Sequence, residues 1–387
     1  MTRLCHLITS LDVGGAEQAL LRLCRGLAAR GYRQEVIVML PPGAIAAALA
    51  DAAIPVHSLG IRRGWPDPRG LWRLVRRLRR SRPDLMMTWM YHADLLGTLA
   101  TPVCGVPHLV WNLRNTAIPD RRARVLVRIL ARLSRVPDLV IANSVAGQAD
   151  HQAFGYRPRR WVCIRNGVDT ERFRPADEPR AVLRQRLGLP PGGRLIGMIA
   201  RFEPQKDHAT FLAAARRFRA LDPEAHFLLA GKGTEPDSRP FQAVLREHGL
   251  EGAVHGLGVR TDLRDLYNAC DLASLSSAYG EGTPNVVLEA LACGVPVVAT
   301  DVGDCRAIIG PCGEVVAPRD PAALCAAWRR VLSEQLGAAA RARAVAMFRD
   351  GATTGAYDDL LRNLLAAPSA GHDHPPRDQT PVACEET

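Results

Sequence analysis

The sequence predicts an α/β protein made of two doubly wound domains. Short apolar runs alternate with helical patterns along the 387 residues, and this alternation is typical of a parallel sheet covered by helices on both faces. A polar stretch that begins at Asn166, NGVDTERFRPADEPR, interrupts the alternation before it resumes. The length suffices for two such domains with full cores. We therefore expect two sheets that face a central cleft, with ligands bound at the carboxyl ends of their strands.

The individual elements follow from the apolar runs. In the first block, strands are predicted at 4–11, 34–40, 54–59, 84–90, 108–114, 138–144 and 160–166. Helices are predicted between them at 16–30, 43–52, 68–82, 92–104, 120–134 and 145–154. In the second block, strands are predicted near 195–200, 226–231, 253–257, 272–277, 296–300 and 313–317, and a helical pattern then dominates from 321 to about 366. The tail at 367–387 lacks apolar periodicity, which predicts disorder.

Charge is distributed unevenly along the chain. Residues 1–166 carry 25 Lys and Arg against 10 Asp and Glu, a net charge of +15, whereas the remainder carries 25 against 29, or −4. The basic first half indicates an anionic partner, which could be a membrane surface, a nucleic acid or a substrate. Because no recognised motif or array of aromatic residues accompanies the charge, we expect no nucleic-acid partner.

The cysteine and hydropathy patterns indicate a cytoplasmic protein that is not integral to a membrane. Ten cysteines show neither C-x-x-C pairs nor metal-ligand spacing with histidines, which predicts reduced thiols and no metal site. Cys5, Cys24, Cys270 and Cys293 fall in apolar segments and are expected to be core residues. No signal peptide is recognised, and the charge-free stretch 95–113 contains two prolines, which argues against a membrane span.

The stretch AYGEGTPNVVLEALACGVPVVATD, residues 278–301, reads as a loop, a helix and a strand. Glu281 lies in the loop, where its carboxylate could accept hydrogen bonds from sugar hydroxyls. The helix N-terminus presents backbone N–H groups that suit hydroxyl or phosphate oxygens, those of Gly282, Thr283, Asn285 and Val286. The loop therefore predicts a binding site for a polar, oxygen-rich ligand.

Glu289 lies within this helix, which is apolar on nearly every side and should therefore bury the carboxylate. A buried carboxylate needs a partner, and the two vicinal hydroxyls of a ribose would be a good one. Alternatively, Glu289 points to solvent or caps a neighbouring backbone group. The sequence favours neither alternative.

Two cations follow another predicted strand, in MIARFEPQKD. Arg201 ends the strand and Lys206 lies in the loop after it. A planar guanidinium and a compact ammonium together suit a diphosphate, although both could be ordinary surface charges. The chain has two lysines, Lys206 and Lys232, and both fall in loops between a strand and a helix. This placement favours a role in binding.

Three features of the first half are weaker signals. Gly14 and Gly15 follow the first strand and open a helix, which either admits a ligand close to the backbone or makes a tight turn. His92 follows a strand end and either faces the cleft or is structural. The segment 69–82 places Leu71, Leu74, Val75 and Leu78 on one helical face and five arginines, Arg69, Arg73, Arg76, Arg77 and Arg80, on the other. Such a helix lies either on an anionic membrane or against the domain with its arginines solvated.

Together these motifs resemble glycosyltransferase family 4, whose retaining enzymes have the GT-B fold. The resemblance extends to about residue 350 and is carried by GGAE, NGVD, ARFEPQKD and GEGTPNVVLEALACGVPVVATDVGD, which keeps a Glu-x7-Glu pattern. It implies two Rossmann-like domains, an acceptor domain at 1–167 and a nucleotide-sugar domain at 168–350. It also implies that the last helices, from about 334, cross back onto the first domain, with 351–366 packing there.

The resemblance also implies roles for individual residues. Catalysis would involve Arg201, Lys206, Glu281 and His92, the histidine lying near the reacting sugar. Gly14 and Gly15 would approach the donor phosphate, which Arg201 and Lys206 would hold from the second domain. The transferred sugar would contact Glu281 and the loop residues Gly282, Thr283, Pro284 and Asn285, and Glu289 would bind the ribose.

The function implied is transfer of a hexosyl-type sugar from a nucleoside-diphosphate donor to a hydroxyl of a glycan or lipid-linked acceptor, with retention of configuration. No metal or other cofactor is expected, because side-chain cations would neutralise the leaving group. Assembly of a polysaccharide or lipid-linked glycan would place the protein in the cytoplasm, with peripheral contact at the inner face of the cell membrane. The alternatives are a GT-B nucleotide-sugar epimerase and a non-catalytic protein that binds nucleotide sugars.

Overall fold

The structure is a computed structural model that describes residues 1–12, 14–62, 68–114, 116 and 121–366. Two compact units divide the chain, Met1–Asn166 with the segment from Asp350 onward, and Gly167–Arg349. The domain boundaries predicted from the sequence fall after residues 167 and 350, within one residue of these. The tail at 367–387, predicted to be disordered, lies outside the described residues.

The first unit is a parallel sheet between helices. Its strands are β1 (Arg3–Ile8), β2 (Arg33–Val38), β3 (Val56–Ser58), β4 (Leu85–Trp89), β5 (His108–Leu113), β6 (Leu139–Ala142) and β7 (Trp161–Cys163). The helices between them are α1 (Gly15–Ala28), α2 (Ile45–Asp51), α3 (Pro68–Ser81), α4 (Tyr91–Cys104), α5 (Arg121–Leu133) and α6 (Val145–Ala153). The strands lie in the order β3-β2-β1-β4-β5-β6-β7, so β1, β4 and β5 are adjacent near the centre of the sheet.

Both faces of this sheet are buried, because alternate side chains of each strand point to opposite sides. Leu4 and Ile8 of β1 pack in one apolar cluster, and Cys5 and Leu7 pack in the other. Two-sided burial explains why the strands read as continuous apolar runs in the sequence.

The second unit repeats this architecture. Its strands are β8 (Leu195–Ile199), β9 (His226–Ala230), β10 (Val254–Gly256), β11 (Leu272–Leu275), β12 (Val297–Thr300) and β13 (Gly313–Val316). Its helices are α7 (Arg180–Arg186), α8 (His208–Arg219), α9 (Arg239–His248), α10 (Leu263–Ala269), α11 (Asn285–Ala292), α12 (Cys305–Ile309), α13 (Pro321–Leu332) and α14 (Gly337–Met347), with a short 3-10 turn at Pro204–Lys206. The strands are parallel in the order β10-β9-β8-β11-β12-β13.

The final helix, α15 (Asp350–Ala366), belongs to the first unit. It packs against α1 and contributes Tyr357, Leu360 and Leu361 to the core there. The expectation that the helices from about 334 cross back is wrong for α14. Ala340 and Ala344 bury that helix in the core of the second unit, against α11.

The cysteine prediction is confirmed at all four positions, because Cys5, Cys24, Cys270 and Cys293 are buried and free. Burial raises the pKa of the Cys24 thiol, which keeps it protonated. Among the described residues, none of the helices combines the length and apolar character that crossing a membrane requires.

Candidate functional site

The predicted cations and glutamates of the second unit follow neighbouring strands. Arg201 and Lys206 come after β8, and Glu281 comes after β11. These two strands pair directly, and β11 pairs in turn with β12. Because parallel strands end at the same edge, the loops that carry these residues meet at the carboxyl edge of the sheet.

Lys206 and Glu281 are in direct contact at this edge. Lys206 ends the 3-10 turn after β8, and its Nζ pairs with Oε1 of Glu281. The Ser277 hydroxyl donates a second hydrogen bond to the same oxygen at 2.5 Å. The two charged side chains are 16% and 7% exposed, respectively. The pair is therefore largely buried, and the low dielectric there makes the attraction between the ammonium and the carboxylate stronger than on an open surface.

Further hydrogen bonds hold the two loops together. The Ala278 N–H donates to the Gln205 carbonyl at 2.8 Å, and the Gln205 side chain donates to the Gly280 carbonyl at 3.0 Å. The Thr300 hydroxyl, at the end of β12, donates to the Ser277 carbonyl at 2.6 Å. These bonds fix the backbone on both sides of the Lys206–Glu281 pair.

A glycine beside Glu281 permits this close packing. Gly303 has φ 66°, in the left-handed region, and a Cβ there would lie 2.2 Å from the Glu281 carbonyl oxygen. The neighbouring Asp304 N–H donates to the Gly282 carbonyl at 3.0 Å. A side chain at position 303 would therefore push the Glu281 loop away from the sheet.

Arg201 is placed differently from Lys206. Its side chain is 60% exposed and lies 3.1 Å from the Glu203 carboxylate. An exposed ion pair of this kind contributes little to stability, so the guanidinium can change partners at small cost. Lys232, after the adjacent strand β9, is also exposed, and its backbone carbonyl accepts a hydrogen bond from the Phe202 N–H at 2.8 Å.

Glu289 is only half-buried, which corrects the expectation of full burial. It shares one face of α11 with Asn285 and Val286, and all three residues remain partly open although the rest of the helix is packed. Its Oε2 accepts a hydrogen bond from the Tyr267 hydroxyl at 3.0 Å. Burial and the negative charge of Glu289 raise the pKa of Tyr267, so this hydroxyl remains a donor.

The loop that leads into α11 is compact. Thr283 and Pro284 are buried, whereas Gly282 and Asn285 are partly exposed. Pro284 precedes the first helical residue, Asn285. The backbone amides of the first helical turn are directed out of the helix N-terminus, the geometry that favours phosphate and hydroxyl oxygens.

The remaining predicted residues belong to the first unit. Gly14 caps α1 and Gly15 begins it, and a Cβ on Gly14 would lie 2.4 Å from a carboxylate oxygen of Glu17. That carboxylate accepts a hydrogen bond from Ser10 at 2.9 Å. An anion that approaches Gly14 therefore meets a negative group. His92, the second residue of α4, is exposed, and the protein around it lowers the pKa of its imidazole by desolvation.

Sequence reasoning missed three contributors to the edge: Ser277, Tyr267 and His208. His208 begins α8, directly after the Lys206 loop, and its buried ring packs on Phe202 with 4.9 Å between ring centroids. Burial and the charge of Lys206 lower the pKa of His208 to about 4, so the imidazole is neutral at pH 7. A single histidine, tyrosine or serine gives no signal in a sequence, because the contact that gives it a role is made only in the folded chain.

A cavity of about 550 Å³ lies elsewhere in the second unit, beyond the C-terminal end of α11. Its lining includes Asn268, Cys293, Gly294 and Arg341, and contains none of the predicted site residues. Arg341 is occupied there by the carbonyls of Phe173 and Ala292, both at 2.8 Å. The carboxyl edge of β8 and β11 is a stronger candidate for the ligand-binding site than this cavity, because charged groups converge there. Within the described ranges, no group of three or more His, Cys, Asp or Glu residues could hold a metal ion.

Comparison with known families agrees with these features. The family model "Glycosyltransferase Family 4" matches residues 13–172, and "Glycosyl transferases group 1" matches residues 193–334. A D-inositol 3-phosphate glycosyltransferase of Geodermatophilus obscurus is 33% identical over 70% of this chain and 62% of its own length. Glycogen synthase of Mycobacterium tuberculosis is 31% identical over 77% of this chain and 68% of that protein. The chain thus spans less than two thirds of the first relative's length.

Solved structures share the architecture. Anabaena Alr3699/HepE, crystallised with UDP, superposes with a TM-score of 0.82 at 25% identity. The match covers 94% of this chain and 100% of the HepE chain. The sucrose-phosphate synthase of Thermosynechococcus elongatus gives a TM-score of 0.79 at 21% identity, covering 95% of this chain and 100% of that one. From the two family matches, the curated relatives and this shared architecture, the chain belongs to glycosyltransferase family 4 and has the GT-B fold.

Proposed function

We propose that this protein transfers a sugar from a nucleoside-diphosphate donor to a hydroxyl acceptor, with retention of configuration. The observation that carries the proposal is the contact between Lys206 and Glu281 at the carboxyl edge of β8 and β11. It joins a cation suited to phosphate with a carboxylate suited to sugar hydroxyls. Family membership supports the same activity.

Glu281 serves two purposes in this proposal. In the described part of the chain, its contacts with Lys206 and Ser277 both use Oε1, so Oε2 can accept hydrogen bonds from the transferred sugar. The contact also fixes Lys206 Nζ before the donor binds. A cation that is already in place loses little energy to reorganisation when negative charge develops on the leaving phosphate.

The other donor groups follow the edge. The exposed guanidinium of Arg201 would leave Glu203 and form paired hydrogen bonds to the diphosphate. The amides around Gly282–Asn285 would contact sugar and phosphate oxygens. Glu289, beside Tyr267 on the open face of α11, would accept hydrogen bonds from the ribose hydroxyls.

In the proposed reaction, the bond between the sugar and the diphosphate breaks first and leaves an oxocarbenium-like sugar. Lys206 and Arg201 stabilise the charge on the departing diphosphate without a metal ion. The acceptor oxygen then bonds to the anomeric carbon on the face that the diphosphate left, and the departing phosphate accepts its proton. This order retains configuration without a covalent glycosyl-enzyme. His92 would lie near the reacting sugar as a largely neutral imidazole, since its pKa is lowered. Gly14 and Gly15 would contact the donor phosphate only if the Glu17 carboxylate turns away.

The acceptor is proposed to be a glycan or lipid-linked precursor at the inner face of a membrane. Helix α3 supports contact with anionic lipid, because Trp72 is 59% exposed among arginines. Arg77 contacts Glu35 at 2.6 Å and Arg73 contacts the Leu59 carbonyl at 2.6 Å, and Arg69 also has an interaction partner within the protein. The exposed side chains of Arg76 and Arg80 would then contact lipid headgroups. Co-sedimentation with phosphatidylglycerol vesicles, and its loss in Arg76→Gln/Arg80→Gln, tests this contact.

A screen of nucleoside diphosphates tests the activity. Thermal unfolding is followed with each diphosphate, starting with UDP because the HepE structure contains it. The matching nucleotide sugars are then incubated with and without a mixture of simple glycosides, and the products are analysed. Transfer to a glycoside supports the proposal. Release of an epimerised sugar without acceptor indicates an epimerase, and binding without any product indicates a non-catalytic protein.

A further inference from the structure

Arg114 follows β5 at the carboxyl edge of the first unit, where β4 and β6 flank that strand. Its Nε and Nη1 atoms are buried, and in the described residues no acceptor contacts them. The residue as a whole is only partly buried. A guanidinium carries five N–H donors and is always charged near neutral pH. This arginine is therefore a covered positive charge that lacks the partner such a charge normally has.

An aromatic ring holds Arg114 in place instead of an ion pair. The guanidinium carbon lies 5.0 Å from the centroid of the Trp89 ring. Trp89 is fully buried at the end of β4, and its indole N–H donates to Nδ1 of His6 at 3.4 Å. Stacking positions the guanidinium without using its N–H groups. The Nε and Nη1 donors are thus fixed in direction but lack an acceptor within the described part of the chain.

In the part of the chain that the structure describes, the groups around Arg114 do not supply a negative charge that would neutralise it. Arg22 lies nearby, and its own charge is matched by Asp350 at 3.1 Å. The Tyr357 hydroxyl is also close, where it accepts a hydrogen bond from the Asn112 side chain at 2.9 Å. Burial and the charge of Arg22 lower the pKa of Arg114. Two residues on, the Thr116 hydroxyl is buried and likewise has no partner among the described residues.

We propose that Arg114 binds an oxyanion, a phosphate or carboxylate group of the acceptor substrate, through its unpaired N–H groups. The assignment of this anion to the acceptor rests on the proposed function, whereas anion binding itself does not. A fixed fork of donors suits two oxygens of one oxyanion. The carboxyl edge of a doubly wound sheet is also where ligands of such domains bind.

The test measures binding of inorganic phosphate by 31P line broadening, in a Lys206→Ala/Glu281→Gln background that removes the charged pair of the second unit. Arg114→Gln is expected to weaken phosphate binding at least tenfold. Arg33→Gln, at an exposed arginine that begins β2 at the opposite edge of the same sheet, is the charge-matched control and should bind normally. A parallel titration with acetate separates a phosphate site from a general carboxylate site. Phosphate binding that survives Arg114→Gln overturns the proposal.

Thermal unfolding without anion separates a binding role from a structural one. If Arg114 awaits a ligand, Arg114→Gln should melt at or above the wild-type temperature, because an uncompensated charge has been removed. A large loss of stability would overturn the proposal by showing that the side chain supports the fold. Should Arg114→Gln not fold, Arg114→Lys keeps the charge but loses the fork, and unchanged phosphate affinity in that variant would be equally damaging.

UDP binding distinguishes this inference from the proposed function. Arg114→Gln should bind UDP as the wild type does, because the charged side chains proposed to bind the donor, those of Arg201, Lys206, Glu281 and Glu289, lie in the second unit. If the wild type binds phosphate through Arg114 but binds no nucleotide, the proposed function fails and the oxyanion site stands. If UDP binds but Arg114→Gln does not change the affinity for phosphate, only the proposal of the oxyanion site fails.

Discussion

Buried charges at the carboxyl edges of the two sheets differ in whether a protein group neutralises them. In the second unit, the Glu281 carboxylate is matched by Lys206 and Ser277. In the first unit, Arg114 has two covered nitrogens without acceptors among the described residues. The backbone differs too, because Met90, directly after β4, has φ 75° and ψ 157°, a combination that side chains strongly disfavour. The second edge is electrostatically complete without a ligand, whereas the first edge gains its missing partner only when an anion binds.

Lys206→Ala tests the complete edge and has the largest expected effect. Loss of the ammonium removes the cation that meets the leaving phosphate, so we expect turnover to fall more than a hundredfold, about 3 kcal/mol of transition-state stabilisation. The measurement is kcat with the donor found in the screen. Lys232→Ala removes the other lysine of the chain, which is exposed, and should leave turnover nearly unchanged. Near-normal turnover in Lys206→Ala would refute its role.

Stability measurements on the same variant sharpen the comparison. Lys206→Ala leaves a buried Glu281 carboxylate whose remaining side-chain partner among the described residues is Ser277. We therefore expect a loss of about 3 kcal/mol in the free energy of unfolding. The double variant Lys206→Ala/Glu281→Gln removes the stranded charge and should recover most of this loss in urea denaturation. Turnover should stay low. If turnover recovered together with stability, Lys206 would be only a structural partner of Glu281.

Glu289→Gln tests the open face of α11, with an intermediate effect. Charged hydrogen bonds contribute about 1.5–3 kcal/mol, so the Kd for UDP should rise about tenfold or more in calorimetric titration. Tyr267→Phe keeps the carboxylate and removes one donor to it, so its effect should be smaller. Unchanged affinity in Glu289→Gln would mean that the carboxylate has only a structural role.

The fold could be predicted because burial on both faces leaves a direct trace in the sequence. β4 was predicted at 84–90 and is found at Leu85–Trp89, where every residue is buried. The observed strand is one residue shorter at each end, and at Met90 the backbone leaves the extended region with φ 75°. The path of α14 could not be predicted, since an alanine-rich helix fits either core.

The site was predicted by residue but not by contact. Lys206 and Glu281 could be selected because each follows a predicted strand. Nothing in the sequence, however, shows that these residues, 75 positions apart, form an ion pair. Glu289 was expected to be buried because its sequence neighbours are apolar. Its exposure depends instead on which face of α11 the rest of the fold covers, and a one-dimensional pattern does not contain that information.

Arg114 had no sequence signal. It stands in WNLRNT, one of 50 lysines and arginines in the chain, and sequence patterns do not distinguish a paired arginine from an unpaired one. Its significance comes from the buried Trp89 ring beneath it and from missing acceptors, both of which are three-dimensional facts. Residues that await a ligand are difficult to find by pattern, because their partner is not part of the chain.

Met90→Gly tests the strained backbone of the first edge and has the smallest expected effect. Glycine adopts the observed φ and ψ freely, and release of strain worth about 1–3 kcal/mol should exceed the entropic cost of glycine, about 0.5–1 kcal/mol. We therefore expect a net stabilisation of about 1 kcal/mol, seen as a higher urea midpoint with an unchanged slope. Arg82→Gly is the matched control, because φ there is 46° and the left-handed helical region costs less. Destabilisation by Met90→Gly would show that the side chain stabilises this turn more than the backbone strains it, and only the unpaired charge would then distinguish the first edge from the second.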